Sequence, residues 1–344
     1  MLISFIVPIY NGEKYLRQCL DSLIHQSICR NEYEIICIDD CSIDKSRDIL
    51  IEYASVYSNV KYIFNTHNLK TGTSLNKALR RARGKYIWII GQDDTIVKDV
   101  VNKLLFKCES LSLDVLAFNY NRVDSNGDLI MKDVSFSNSL KQDGKMYIYS
   151  YFYNNFCNYL LGYEWRAIYN LEFLKSCSIS FPDNTIYEDT LFLFNAFWNA
   201  RNMMTIKDCI YNYRQNESSI TNVVNRYQAV RIYDFFMISD EVLKFAKQIE
   251  DDHIRNQLID VSKKYLQSFV FTIIPATLKE KFHFYDLIKL NRSKITPNII
   301  FLPWYIKVLL HPFIGVVMTS LLKPLYLLKK FYTKKEGFQR CSIA

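Results

Sequence analysis

Short apolar runs alternate with amphipathic stretches through the first third of the chain. Ile3–Val7, Glu34–Ile38, Lys61–Phe64, Tyr86–Ile90 and Val115–Phe118 read as strands. They are apolar nearly throughout rather than at every second position, the pattern of strands covered on both faces. Between them the helical period runs over about residues 13–25, 44–57, 73–82 and 96–109. Strand–helix repetition predicts an α/β fold with a mostly parallel, doubly wound, Rossmann-like sheet. Such sheets bind ligands beyond the carboxyl ends of their strands. The segments that follow each strand are therefore where chemistry is expected.

Residues 119–135 predict a hairpin, with Asn126-Gly127 as a tight-turn signal. Residues 144–225 mix both periods. From 226 onward the pattern is helical, beginning with the stretch 226–249. This divides the chain into an α/β domain over 1–225 and a helical C-terminal region over 226–344. Val308–Leu322 carries no formal charge but holds His311 and Pro312. A membrane span needs about 20 apolar residues, so this run predicts an interfacial helix pair rather than a crossing. The opening Met1–Val7 is too short for a signal peptide or a span and reads as a buried strand.

Composition sharpens the picture at the C-terminus. The chain has 344 residues, 49% of them apolar, and a net charge of +8. Residues 279–344 hold ten Lys and two Arg against Glu280, Asp286 and Glu336, a net +9 that leaves −1 for residues 1–278. Charge gathered in a tail points to nucleic acid or an anionic membrane surface. The interleaved apolar and aromatic residues, as in Phe301-Leu302-Pro303-Trp304-Tyr305, favour the membrane and argue against nucleic acid. The nine cysteines are odd in number, with no Cys-x-x-Cys and no zinc spacing to His. They read as reduced thiols of a cytosolic protein, most of them small core residues.

The strand ends carry the candidate chemistry. After the first strand comes Pro8-Ile9-Tyr10-Asn11-Gly12-Glu13, with one Gly and no dinucleotide or P-loop fingerprint. An aromatic ring beside an amide suits a planar base, and Asn11 equally suits a helix cap. After the second strand stand Asp39 and Asp40, two carboxylates whose burial is costly unless they bind something. Gln92-Asp93-Asp94 follows the fourth strand, where carboxylates suit Mg²⁺ or Mn²⁺ bridging a diphosphate. Glu188-Asp189 precedes an apolar helix and reads either as dipole complement or as an acid/base pair. Arg214 reads either as a phosphate grip or as part of a solvated loop.

Taken together these pieces resemble the family 2 glycosyltransferases with the GT-A fold, the type found in bacterial capsule, lipopolysaccharide and exopolysaccharide gene clusters. The resemblance runs over about residues 1–220. It rests on Ser4–Asn11, Leu20–Gln26, Ile38–Asp44, Gly84–Ile87, Gln92-Asp93-Asp94 and Tyr187–Thr190. It implies that Pro8, Tyr10 and Asn11 line the base site with Glu13 nearby. Asp40, beside Asp39, would bind the nucleobase, most often uracil. Asp93 and Asp94 would serve metal and ribose, and Asp189 would deprotonate the acceptor with Glu188 orienting it. The sequence departs from the family pattern at three places. Gly91 replaces the first acid of Asp-x-Asp-Asp. Cys41 replaces the Gly of Asp-Asp-Gly-Ser. Asn68-Leu69-Lys70 and Ser74-Leu75-Asn76 stand for Asn-x-Gly and Ala-Arg-Asn, with Lys70 supplying the charge of the missing Arg. The implied activity is inverting transfer of a sugar from a nucleotide diphosphate, UDP above others, to a glycan or polyprenyl-linked acceptor in cell-surface polysaccharide synthesis. The implied location is cytoplasmic, with the tail on the inner membrane face. Two other readings are a degenerate nucleotide-sugar-binding subunit and a nucleotidyltransferase. The latter needs a Gly- and Lys/Arg-rich first loop, which Asn11-Gly12-Glu13-Lys14 matches poorly.

Overall fold

The computed structural model describes residues 1–134, 136, 139–141, 163–182, 188–215, 228–250, 252–274, 276, 277, 279–282 and 284. The chain divides into two compact units, Met1–Asn222 and Val223–Ala344.

In the first unit β1 (Ile3–Ile9) is flanked by β2 (Tyr33–Asp39) and β4 (Tyr86–Ile89), with β3 (Val60–Phe64) beyond β2. All four run parallel. Every side chain of β2 and β4 is buried, which is why these runs show no polar alternation. Helices α1 (Leu16–Ile24), α2 (Ser46–Val56) and α3 (Thr71–Leu79) make the crossovers. In α1 the stripe Leu16, Cys19, Leu20, Leu23 and Ile24 faces the core. Each such side chain, once buried, contributes about 1.5–3 kcal/mol. The chain leaves β1 toward β3 and then returns to β4. That reversal places a switch point, and with it a crevice, at the carboxyl end of β1.

Beyond β4 the sheet is mixed. The further strands are β5 (Thr95–Ile96), β6 (Val115–Val123), β7 (Leu129–Asp133), β8 (Ser139–Lys141), β9 (Ala167–Asn170) and β10 (Met203–Arg214). Strand β9 lies between β4 and β6 and is antiparallel to both. Strand β10 is parallel to β6, while β5 and β8 are antiparallel to β10. The parallel expectation thus describes the first four strands, and the second half adds the antiparallel ones. Helix α4 (Val101–Ser110) precedes β6, and α5 (Leu171–Ser176) follows β9. Helix α6 (Glu188–Asn199) precedes β10. The expected hairpin is present as β6–β7. Its turn is held by Asp124, whose Oδ1 accepts from the N–H groups of Asn126, Gly127 and Asp128 at 2.8–3.0 Å.

The second unit contains α7 (Gln228–Ala246) and α8 (Asp252–Ile273), as the helical period past 226 predicts. They meet through Phe236 on Phe269 and a 2.8 Å bond between the Ser239 and Ser262 hydroxyls. The apolar run 308–322 and the basic tail lie outside the described residues. Among the described residues no helix is long and apolar enough to cross a membrane. The described cysteines are all unpaired, but only Cys19, Cys37 and Cys108 are fully buried. Cys29 and Cys177 are exposed and Cys41 and Cys209 half-buried, so the core reading holds for fewer of them than expected.

Candidate functional site

The loops at the carboxyl ends of β1, β2 and β4 are tied to one another by side chains. Gln92 bridges to Tyr10: the Tyr10 N–H donates to Gln92 Oε1 (2.8 Å) and Gln92 Nε2 donates to the Tyr10 carbonyl (3.0 Å). Asn11 Oδ1 accepts from the Ile43 N–H, and Glu13 Oε2 accepts from the Lys45 N–H. In return Ser42 and Asp44 accept from the N–H groups of Asn11 and Glu13. Asn11 also sits at φ 52°, a conformation Asn tolerates better than most residues. Asn11 and Glu13 therefore join the loops that follow β1 and β2. Pro8 lies half-buried within β1, and Tyr10 is 47% exposed at the mouth of the crevice.

The first acidic pair splits into two roles. Asp39 is fully buried, its Oδ2 held by Arg47 Nε (2.7 Å) and the Ser42 N–H (3.2 Å). Its other oxygen, Oδ1, is buried with no hydrogen-bond partner among the described residues. Arg47 offsets the cost of burying this carboxylate, a partner the sequence did not reveal. Asp40 is 5% exposed and faces the other way. Its Oδ1 accepts from Asn65 Nδ2 and from the Leu69 N–H, both at 2.8 Å. Asn65 in turn donates to Ser74 Oγ and accepts from Lys77 Nζ. Asp40 thereby ties the β2 end to the loop entering α3.

The second pair splits likewise. Asp94 is 2% exposed. Its Oδ2 accepts from the Tyr211 hydroxyl (2.6 Å) and its Oδ1 from the Arg214 N–H (2.8 Å). The same Tyr211 hydroxyl accepts from the Gly91 N–H at 2.9 Å. Burial, reinforced by the charge of Asp93, pushes the Asp94 carboxyl far above the usual range. A Cβ on Gly91 would lie 2.5 Å from Asp94 Oδ2, so Asp94 occupies the room an acid at 91 would need. Asp93 is half-buried at the lip of the crevice. Neither reading of Arg214 holds. It is 3% exposed, and its guanidinium donates to the carbonyls of Asp93 and Ser125 (2.8 Å each) and to Gln18 Oε1 (2.8 Å). It lies 4.6 Å over the Tyr15 ring. It is a clamp between β10, the Asp93 backbone and the hairpin turn.

Glu188 and Asp189 open α6. Glu188 is buried, and Asp189 is half-buried with its Oδ1 accepting from the Thr190 N–H at 2.7 Å. Burial raises the Asp189 carboxyl above the usual aspartate range, although the Thr190 bonds oppose it. Glu164, in the 3-10 turn Glu164–Arg166, is raised by burial and then by the charge of Asp189. Beside them Trp165 stacks on Tyr211 at 4.2 Å and on Tyr213 at 5.4 Å, and Tyr163 lies 4.8 Å from Trp165. The α3 side is brought in by contacts that the sequence did not mark. Asn76 exchanges two hydrogen bonds with the Phe181 backbone, at 2.8 and 3.0 Å. A Cβ on Gly72 would lie 2.7 Å from the Pro182 carbonyl and 3.3 Å from Glu188 Cβ. Lys70 is exposed at the entry to α3, directly after Leu69. Among the described residues no three His, Cys, Asp or Glu side chains gather to hold a metal ion.

Known proteins share this chain's sequence pattern and fold. EpsH of Bacillus subtilis is 32% identical over 230 residues, 66% of this chain and 63% of EpsH. The Staphylococcus aureus poly(ribitol-phosphate) beta-N-acetylglucosaminyltransferase TarS is 28% identical over 216 residues, 62% of this chain and 35% of TarS. Both matches span less than two thirds of the relative's own length. The crystal structure of TarS residues 1–349 with UDP-GlcNAc superposes with a TM-score of 0.68 at 22% identity, covering 99% of this chain and 92% of that one. A mannosyltransferase of Pyrobaculum calidifontis, solved with GDP-Man and Mn²⁺, shares the fold at a TM-score of 0.52 and 13% identity, covering 93% of this chain and 86% of that one. Residues 4–167, just under half of the chain, match the family described as glycosyl transferase family 2, and the described fold is that of the TarS structure.

Proposed function

We propose that this chain transfers a sugar, with inversion, from a nucleotide diphosphate donor to a hydroxyl of a cell-surface glycan or its lipid-linked precursor. The observation that carries the reading is the chain of contacts from Asp40 to Glu188. Asp40 holds the Leu69 N–H, the α3 entry follows, and Gly72 seats that helix against the Glu188 side chain. A base site at Tyr10 and Asp40 and a carboxyl pair at Glu188-Asp189 thus border one crevice. TarS, of the same fold, binds UDP-GlcNAc, which favours a UDP-sugar here.

Asp189 takes the part of general base. Its raised carboxyl is better matched to proton removal near neutral pH than an ordinary aspartate. It accepts the acceptor proton while the hydroxyl attacks the anomeric carbon from the face opposite the leaving diphosphate, through an oxocarbenium-like transition state. Glu188 and the neighbouring Glu164 set the charge around it. Asp93, with the donor's own phosphates, fits a Mg²⁺ or Mn²⁺ ion, since Mg²⁺ takes one or two carboxylates plus substrate oxygens. When bound, that ion neutralises charge on the leaving diphosphate. Asp94 holds the wall of the site: its two oxygens answer Tyr211 and the Arg214 N–H.

A thermal-shift series with UDP, GDP and CDP, with and without Mn²⁺, tests the donor half. Stabilisation by one nucleoside diphosphate is the expected result. No shift with any of them would leave the degenerate-subunit reading, which Gly91 favours. For the chemical half, Asp189→Asn is expected to keep that shift while sugar transfer falls by at least about 100-fold. Full turnover in the variant would remove Asp189 from its role.

A further inference from the structure

Strand β7 leaves apolar side chains in the open. Leu129, Ile130, Met131 and Val134 are 48% to 65% exposed. Elsewhere in the first unit exposed large apolar residues stand singly along the chain, as Ile43, Val56 and Phe106 do. Together the four offer on the order of 400 Å² of apolar surface, enough to mark an interaction site on a soluble protein. Neighbouring side chains of a strand point to opposite faces, so Leu129, Ile130 and Met131 cannot all share one. The outer strand of the hairpin is therefore apolar on both faces. A protein partner covers one face or adds a strand to the edge. Strand addition is opposed here, because the register slips at Ile130 (Met131 pairs with Arg122, but Leu129 with Val123) and Lys132 stands in the same strand. Hydrocarbon surrounds what it takes up and so answers both faces at once.

We propose that the β6–β7 hairpin docks on a membrane, laying Leu129, Ile130, Met131 and Val134 into the interfacial layer of a bilayer. Among the described residues β7 pairs only with β6. Its outer backbone groups thus need water or headgroups, which sets the depth at the interface rather than in the core. The hairpin is fastened to the crevice at both ends. At the turn the Arg214 guanidinium donates to the Ser125 and Asp93 carbonyls, each at 2.8 Å. At the other end Asp133 Oδ2 accepts from the Tyr120 hydroxyl (2.8 Å), and the Tyr120 ring packs edge-on against Trp165 at 5.0 Å. Docking thus holds the mouth of the crevice at the surface where a lipid-linked hydroxyl is presented. The exposed Asp128 and Lys132 cancel in charge, so the hairpin adds apolar area and leaves electrostatic attraction to the basic tail. The proposal deepens the acceptor reading above and rests on it, whereas the donor reading is separate.

The test uses the full chain and vesicles of phosphatidylglycerol and phosphatidylcholine in equal parts. Ile130→Trp places a reporter in the patch, and Ile51→Trp places a control at an exposed position of α2. Each is read as the difference from the emission of the parent protein. On vesicles the reporter at 130 is expected to shift to the blue and to be quenched by brominated phosphatidylcholine, and the control to do neither. Changing Leu129, Ile130 and Met131 together to Ser is expected to lower vesicle partition about tenfold. The same change should move the melting temperature by less than about 2 °C, because the positions are exposed, and keep the melting shift given by UDP. A reporter at 130 that stays unquenched on a sedimenting chain overturns the proposal. So does a parent chain that fails to sediment with vesicles, or a Ser variant that partitions as well as the parent. A lipid-free dimer, seen by sedimentation velocity and lost in the Ser variant, also overturns it by giving the patch to a second copy. Quenching at 130 in a chain that no nucleoside diphosphate stabilises supports the docking and removes the donor reading alone.

Discussion

Cys41 stands between two site residues with φ 66°, where the Cβ meets the following carbonyl. Its thiol makes a weak contact, 3.7 Å to the Thr66 carbonyl, and also interacts with the Arg47 side chain. Strain of this kind costs about 1–2 kcal/mol, and glycine gives back part of the gain through its freer unfolded chain. Cys41→Gly is therefore expected to stabilise the protein by about 0.5–1 kcal/mol, read as a higher urea midpoint with an unchanged slope. A lower midpoint would mean that the thiol contact outweighs the strain. At Asp189 the sign depends on pH. Its folded-state carboxyl titrates higher than in the unfolded chain because burial disfavours the charge. The folded form thus keeps its proton longer, and ionisation costs stability at every pH above the raised value. Below an ordinary aspartate pKa of about 4 the cost vanishes. Asp189→Asn should accordingly melt higher than the parent at pH 8, by about 1–3 kcal/mol of stability, and no higher at pH 4. Equal melting at pH 8 would show that the carboxylate is not penalised. At this scale the sequence made identity legible but not availability. Asp39, Asp40, Asp93 and Asp94 stand where the residue pattern places them. Which of them a ligand can reach depends on Arg47, Asn65, Tyr211 and Arg214, and for Asp94 those partners lie about 120 residues away.

Between elements, the seating of α3 on the segment leading into α6 decides whether the site closes. Gly72 is helical, so on propensity alone an alanine there would be favourable by about 1 kcal/mol. The 2.7 Å approach to the Pro182 carbonyl reverses the sign, because a backbone oxygen cannot swing aside as a side-chain end can. Gly72→Ala is expected to cost about 1–3 kcal/mol and to lower transfer more than donor affinity, since it parts α3 from Glu188. A stabilised variant with full activity would show that the two segments do not need this contact. The elements themselves were unevenly legible. Strands β1, β2 and β4 announced themselves because burial on both faces leaves a nearly unbroken apolar run. Strand β10 did not. It alternates buried Met203, Thr205, Ile210 and Tyr211 with exposed or half-exposed Lys207 and Asp208, and its pairing to β6 carries register shifts near Cys209. Strand β9 spans only four residues, and nothing in Ala167-Ile168-Tyr169-Asn170 tells a reader that it will run antiparallel between two strands.

Across the whole molecule charge and chemistry are segregated. Residues 1–278 are close to neutral while the last 66 carry +9 interleaved with apolar side chains. A uniformly basic protein would repel itself and hold anions over its whole surface. A basic, apolar tail gathers that attraction in one stretch of the sequence. Such a tail agrees with the lipid-linked acceptor proposed above, because attachment by charge and buried apolar area together is reversible. Each lysine near an anionic surface contributes about 1 kcal/mol, and salt beyond the physiological range, where the screening length falls below about 8 Å, weakens the sum. The intact chain is thus expected to sediment with phosphatidylglycerol vesicles, much less with phosphatidylcholine vesicles, and to be released as salt rises. Converting Lys329, Lys330, Lys334 and Lys335 to Glu should abolish vesicle binding while the melting shift given by a nucleoside diphosphate stays in place. A charge-reversed chain that still sediments would move the attachment to the apolar run 308–322. Release accompanied by loss of the nucleotide shift would mean that the tail serves the fold of the catalytic unit rather than the membrane.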